Sequence, residues 1–187
     1  MKKAKLWLVA FLFYLCSTLS FSQDGAPHFP DDWMGTYEGE MYIFNKNGTI
    51  ADTVDLRLIM APTEENHVWS HVMSYESRKY GNLAKEYQLV KPDTLPANVF
   101  LMDEQNGIYI EEVLLGNTFY SSFSVGNVQL FSSLRNKGDV IEWEVISIGT
   151  TSTLSSGTEP DQEGNSTLVE SYAPITTQKA VLKRKKE

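Results

Sequence analysis

The chain holds one cysteine, Cys16, three histidines, and a single long apolar run from Leu6 to Leu15. A lone cysteine forms no internal disulfide, and a handful of histidines leaves little material for a metal centre. Basic residues are also in the minority, 16 Lys and Arg against 24 Asp and Glu, giving a formal net charge of -8. A surface of that sign repels phosphate backbones, which argues against nucleic acid as a partner. At 187 residues there is room for one domain with a substantial core and too little for two.

What is present begins with "MKKAKLWLVAFLFYLCSTLSFSQDG": Lys2, Lys3 and Lys5, then the apolar run, then small and polar residues. This reads as a signal peptide over residues 1–22, cut between Ser22 and Gln23, so the product is expected to be exported to a periplasm or the exterior. Leu6 to Phe21 is shorter than the ~20 residues of a helical span, so no integral membrane span is expected after cleavage. The large residues Phe13, Tyr14 and Leu15 precede Cys16, where a lipid-attachment signal would carry small ones. Cleavage removes the only thiol and three lysines, taking the formal charge from -8 to -11. The basic end "KAVLKRKKE" reads as a solvated chain end.

From Trp33 onward apolar residues recur at period 2 rather than 3.6, the spacing of strands. In "TYEGEMYIF" Tyr37, Gly39, Met41 and Ile43 share one face, and in "TIADTVDLRLIM" Ile50, Val54, Leu56, Leu58 and Met60 do so. Strand-length segments follow at 67–75, 84–90, 98–103, 107–115, 118–125, 128–134 and 140–148. They are separated by short turns rich in Gly, Asn, Asp and Pro, two of them Gly-Asn pairs suited to two-residue hairpins. Residues 149–166 read as a mobile loop, after which "TLVESY" (167–172) and "QKAVLKR" (178–184) restore strand character, and 76–87 read as a place for a helical turn. Short turns make sequence neighbours antiparallel neighbours in space. An open meander would leave two bare edges, so an all-β, antiparallel up-and-down barrel of about nine or ten strands is expected over 33–187, with 23–32 as its lead-in. Two stacked sheets are the rival architecture.

The opening "DDWMGTYEGEMYIFNKNG" resembles the first strand of lipocalin-like barrels, the calycin group, in which a Trp followed by a Gly plugs one end. "WMGTYEG" is also similar to the start of haem-binding barrels of the nitrobindin type. The first resemblance implies a barrel enclosing a small ligand. The second would imply haem on a late proximal His, and no His follows His71, so no cofactor is expected. The physics of the motif stands by itself: a barrel end needs a large apolar stopper, here Trp33, and Gly35 and Gly39 allow a first strand to bend sharply.

Other chemistry is sparse. In "HVWSH" His67 and His71 would lie ~13 Å apart along a strand, too far to share a metal ion. No G-x-S-x-G elbow is present, and the serines of the 149–166 loop have no His near them in sequence. Asp103 with Glu104 and Glu111 with Glu112 are adjacent strand residues that point to opposite faces, which predicts solvated or turn roles. "DQEGNS" offers oxygens at Asp161, Glu163 and Asn165 without the glycine at the sixth position of a calcium loop.

The remaining feature is apolarity on both faces of many strands. A barrel of this size can hold one small apolar or amphipathic molecule, with Tyr37, Met41, Leu56, Trp69, Met73, Tyr87, Tyr109, Phe119, Phe123, Phe131 and Trp143 as its candidate lining. The alternatives are a side-chain-filled barrel serving as a structural or protein-interaction domain, and a hydrolase or isomerase on the same frame. A cavity above ~300 Å³ favours a ligand. A packed interior favours the interaction domain, and converging polar groups of perturbed acidity favour the enzyme.

Overall fold

The computed structural model describes residues 27–186 apart from 78 and 80, so the expected signal peptide and its cleavage point lie outside the described residues. The described chain is all β. Its strands are β1 (Gly35–Asn45), β2 (Ile50–Pro62), β3 (Val68–Ser77), β4 (Gly81–Val90), β5 (Val99–Asp103) and β6 (Tyr109–Leu115). The second half adds β7 (Thr118–Val125), β8 (Val128–Asn136), β9 (Val140–Gly149), β10 (Leu154–Gly157), β11 (Leu168–Ser171) and β12 (Pro174–Arg184).

Ten of these form a closed antiparallel barrel in the order β1-β12-β9-β8-β7-β6-β5-β4-β3-β2. Closure comes from β1 meeting β12, with Tyr37 opposite Arg184 and Met41 opposite Ala180. Sheet stacking is thereby excluded. The alternation read from sequence sets the faces: Val54, Leu56, Leu58 and Met60 of β2 are buried, while Asp55 and Arg57 between them are exposed. Gly116 and Gly126, at φ 62° and 57°, supply the positive φ that the two-residue turns into β7 and β8 require.

Two local expectations are corrected. The described residues of 76–87 hold no helical turn: Glu76 pairs with Asn82 and Ser77 with Gly81, so β3 and β4 form a hairpin. Residues 149–166 are not simply a loop, because β10 pairs with β11, Leu154 opposite Ser171 and Gly157 opposite Leu168, as a two-stranded arm outside the barrel. β11 falls within the "TLVESY" segment read as strand, whereas the four residues of β10 are too few for their alternation to stand out in sequence.

The arm also defines an end of the barrel. It leaves from Gly149 and returns at Pro174, the end opposite Asn136 and Ile141. At that other end the chain before β1 folds under the strands. Phe29 lies with ring centroids 4.8 Å from Trp69 and 5.2 Å from both Phe100 and Phe119. Trp33, fully buried, meets Phe119 at 5.0 Å. The buried Asn136 holds this segment by donating through Nδ2 to the Asp32 carbonyl at 3.0 Å. The stopper role predicted for Trp33 is therefore shared with Phe29.

Candidate functional site

Above the aromatic plug the interior opens into a cavity of about 240 Å³. That is more than the ~150 Å³ of a cavity known to take benzene, and less than the ~300 Å³ at which drug-sized ligand pockets begin. Its walls come from β2 to β9 and β12. Inward-facing alternation puts Met73, Tyr75 and Tyr87 on one wall, Phe119, Phe123 and Leu130 on another, and Trp143 and Val145 on a third.

Five of the eleven candidates, Met73, Tyr87, Phe119, Phe123 and Trp143, meet in this lining. Tyr37, Met41 and Leu56 point inward too but are packed into the buried core, and Trp69 packs on Phe29 at the plug. Two candidates are corrected. Tyr109 and Phe131 are 59% and 38% exposed, on the outer surface, where Phe131 lies 6.0 Å from the Tyr120 ring. The register explains both. Directly opposed residues share a face, so Phe123 opposite Leu130 puts Leu130 inside and Phe131 outside. Met102 opposite Ile110 does the same for Ile110 and Tyr109.

The same parity turns Glu112 inward, and here the prediction of a solvated carboxylate is overturned. Glu112 is only 8% exposed and lies in the cavity wall, while Glu111 faces out. Burial pushes its carboxyl up to about 7, and a hydrogen bond with Ser121 pulls partly the other way. Ser121 Oγ is 2.7 Å from Ser132 Oγ, also in the lining. Ser121 has one hydroxyl proton; donated to Glu112, it leaves Ser121 to accept from Ser132.

His71 faces the cavity from β3 at 4% exposure, and its Nδ1 is buried with no hydrogen-bond partner. Burial lowers its pKa to about 4, so it is a neutral imidazole at physiological pH. Its ring is 6.4 Å from that of Tyr87, whose hydroxyl is raised by burial and by Glu104. His67 sits instead at the surface, Nδ1 3.3 Å from an Asp93 oxygen, so the two histidines do not converge. Among the described residues no group of three or more His, Cys, Asp or Glu is placed to hold a metal ion. In the tip of the arm Asp161 Oδ1 accepts the backbone N–H groups of Glu163 and Asn165, both at 2.9 Å, a turn-forming use of its oxygen.

Glu112, Ser121, Ser132 and His71, with Glu104 and Gln178, are polar residues of the lining that sequence reasoning did not assign to a site. The signal available was parity: once Phe119 and Phe123 are placed inward on β7, Ser121 between them is inward too.

No family model and no curated protein matches the sequence. Among solved structures, the fold is similar to that of a protein of unknown function from the DUF3598 family of Nostoc punctiforme, with a TM-score of 0.52 at 10% identity. The match covers 83% of this chain, which spans 48% of that one. The structure of EF1p2_mFAP2b bound to DFHBI matches at a TM-score of 0.39 and 11% identity, over 86% of this chain and 100% of that one.

Proposed function

We propose that this chain is an exported, lipocalin-like binding protein for a small amphipathic molecule held in the barrel. The observation that carries the reading is the cavity itself: about 240 Å³ of largely apolar wall above a tightly packed aromatic floor, with a few polar groups facing in. The space falls short of the ~300 Å³ of a drug-sized pocket, so the reading is for a smaller ligand. The volume suits a one-ring ligand with a short tail. Export rests on the basic and apolar leader. The reading includes no haem, and a Soret band in purified protein would overturn that part.

Native mass spectrometry of protein purified from its own host tests the proposal. A retained small-molecule mass is expected, and Ser132→Phe, which fills the cavity from β8, is expected to abolish it. A chain with no retained mass, whose melting temperature is also unmoved by one-ring compounds, would point to the interaction domain.

A second reading, acid–base catalysis, is favoured by one observation. Glu112, raised to about 7, shares a cavity with the neutral His71, and a carboxyl titrating near neutrality is suited to proton transfer. Turnover of the retained molecule by wild-type protein, lost in Glu112→Gln, would select it.

A further inference from the structure

The cavity wall contains a carboxylate with no counter-charge. Glu112 forms no ion pair among the described residues, and the lining includes a second acid, Glu104, but neither Lys nor Arg. His71 adds no positive charge, because it stays neutral down to about pH 4. On β4 a basic residue, Lys85, stands at an inward-facing position opposite Met73 and two residues from Tyr87; it is outside the lining and in no ion pair among the described residues. A carboxyl buried among apolar groups must either keep its proton or gain a cation.

The rest of the wall is built for the second course. Tyr75, Tyr87, Phe119, Phe123 and Trp143 bring five aromatic rings to the lining, and ring faces attract cations. His71 Nδ1 is buried and unpartnered, and a neutral imidazole nitrogen can accept a hydrogen bond from an N–H group. Glu104 in the same wall and, over the whole chain, a formal charge of -8 draw cations toward the cavity.

Resting on the ligand-binding reading above, we infer that the cavity selects a small protonated amine on an aromatic or alicyclic skeleton, with Glu112 as its counter-charge and His71 as an acceptor for its N–H. The ammonium sits on the Glu112 side of the cavity and its ring lies among Phe119, Phe123 and Trp143. Proton balance is simple: below the carboxyl's own titration, amine binding expels one proton from Glu112.

Three probes of one skeleton test this by calorimetry at pH 8: 2-phenylethylamine, 2-phenylethanol and phenylacetate. The amine should bind at least about tenfold more tightly than the alcohol, with phenylacetate weakest. Its affinity should fall about tenfold per pH unit below about 7, with proton release, as Glu112 takes up its proton. In Glu112→Gln the amine should lose about 30-fold or more and the alcohol far less, so that the preference for the amine collapses. If the alcohol or phenylacetate matches the amine at pH 8, the inference is wrong and cavity binding stands. If none of the three binds, both fail. Should Glu112→Gln not fold, the wild-type pH profile decides, since an amine affinity flat from pH 5.5 to 8 rules out Glu112 as counter-charge.

Discussion

The guanidinium of Arg184, near the end of the last strand, lies over the ring of Tyr37 in the first, 4.6 Å from its centroid. The same group donates to the carbonyl oxygens of Asp32, at 2.6 Å, and Met34. One side chain thus ties the closing strand pair to the segment that plugs the barrel.

Arg184→Met should therefore cost about 2–3 kcal/mol, since it removes charge-assisted hydrogen bonds to two carbonyls together with the ring contact. Arg184→Lys should recover less than half of that, because an ammonium reproduces neither the fork nor the stacking. Urea unfolding followed by tryptophan fluorescence measures both, and equal stability of the Met variant would show that closure does not depend on this tie.

Gly39 is needed for a reason other than bending. A Cβ at this position would sit 2.3 Å from the Val181 carbonyl oxygen, inside β1 where it runs against β12. Backbone cannot move aside as a flexible side chain can, so Gly39→Ala should separate the closing strands and cost about 2–3 kcal/mol. Faster hydrogen exchange confined to β1 and β12 would accompany it; a stability equal to the parent's would mean the strands part freely.

Phe29 contacts four aromatic residues, Trp33, Trp69, Phe100 and Phe119, from outside the barrel strands. Phe29→Ala is expected to lose about 3 kcal/mol and to shift tryptophan emission to the red as water reaches Trp33 and Trp69. Unchanged emission would show that the lead-in segment is not part of the seal.

The barrel was legible in the sequence because period-2 alternation and Gly-containing turns are local signals, and the turns at Gly116 and Gly126 even fix which residues oppose each other. The inward face was harder. Strands such as β6 and β8 carry apolar residues on both faces, so Tyr109 looked as good as Ile110 and Phe131 as good as Leu130. Reading Glu111 and Glu112 as neighbours on opposite faces in solvated or turn roles, without fixing which face is inward, hid Glu112, the one buried carboxylate among the described residues. Phe29 was missed for another reason: a contact between a lead-in segment and strands 40 to 90 residues away leaves no periodic trace. In the arm, β11 was legible within "TLVESY", but β10 and its pairing were not, since four residues are below the length at which alternation is recognisable.

Glu112 and His71 titrate in opposite senses, and their variants should show it. Unfolded Glu112 takes its proton near 4.5 and folded Glu112 at about 7, so the folded state holds that proton more tightly. Its contribution to stability falls as pH rises from 4.5 to 7 and levels above. Unfolded His71 is protonated below 6.5 and folded His71 only below about 4, so its contribution falls as pH drops through that window. Between pH 4.5 and 6.5 the two slopes nearly cancel, and the parent should show little net dependence from this pair. Glu112→Gln should thus be more stable than the parent by on the order of 3 kcal/mol at pH 8 and by little at pH 4. His71→Leu should show the reverse trend, gaining as pH falls from 6.5 to 4, on top of a pH-independent offset from altered packing. Urea melts of the three proteins at pH 4, 6 and 8 measure these differences with all other titrations cancelled. Differences that stay constant across the three pH values would show that neither group is buried in the cavity wall without a counter-charge.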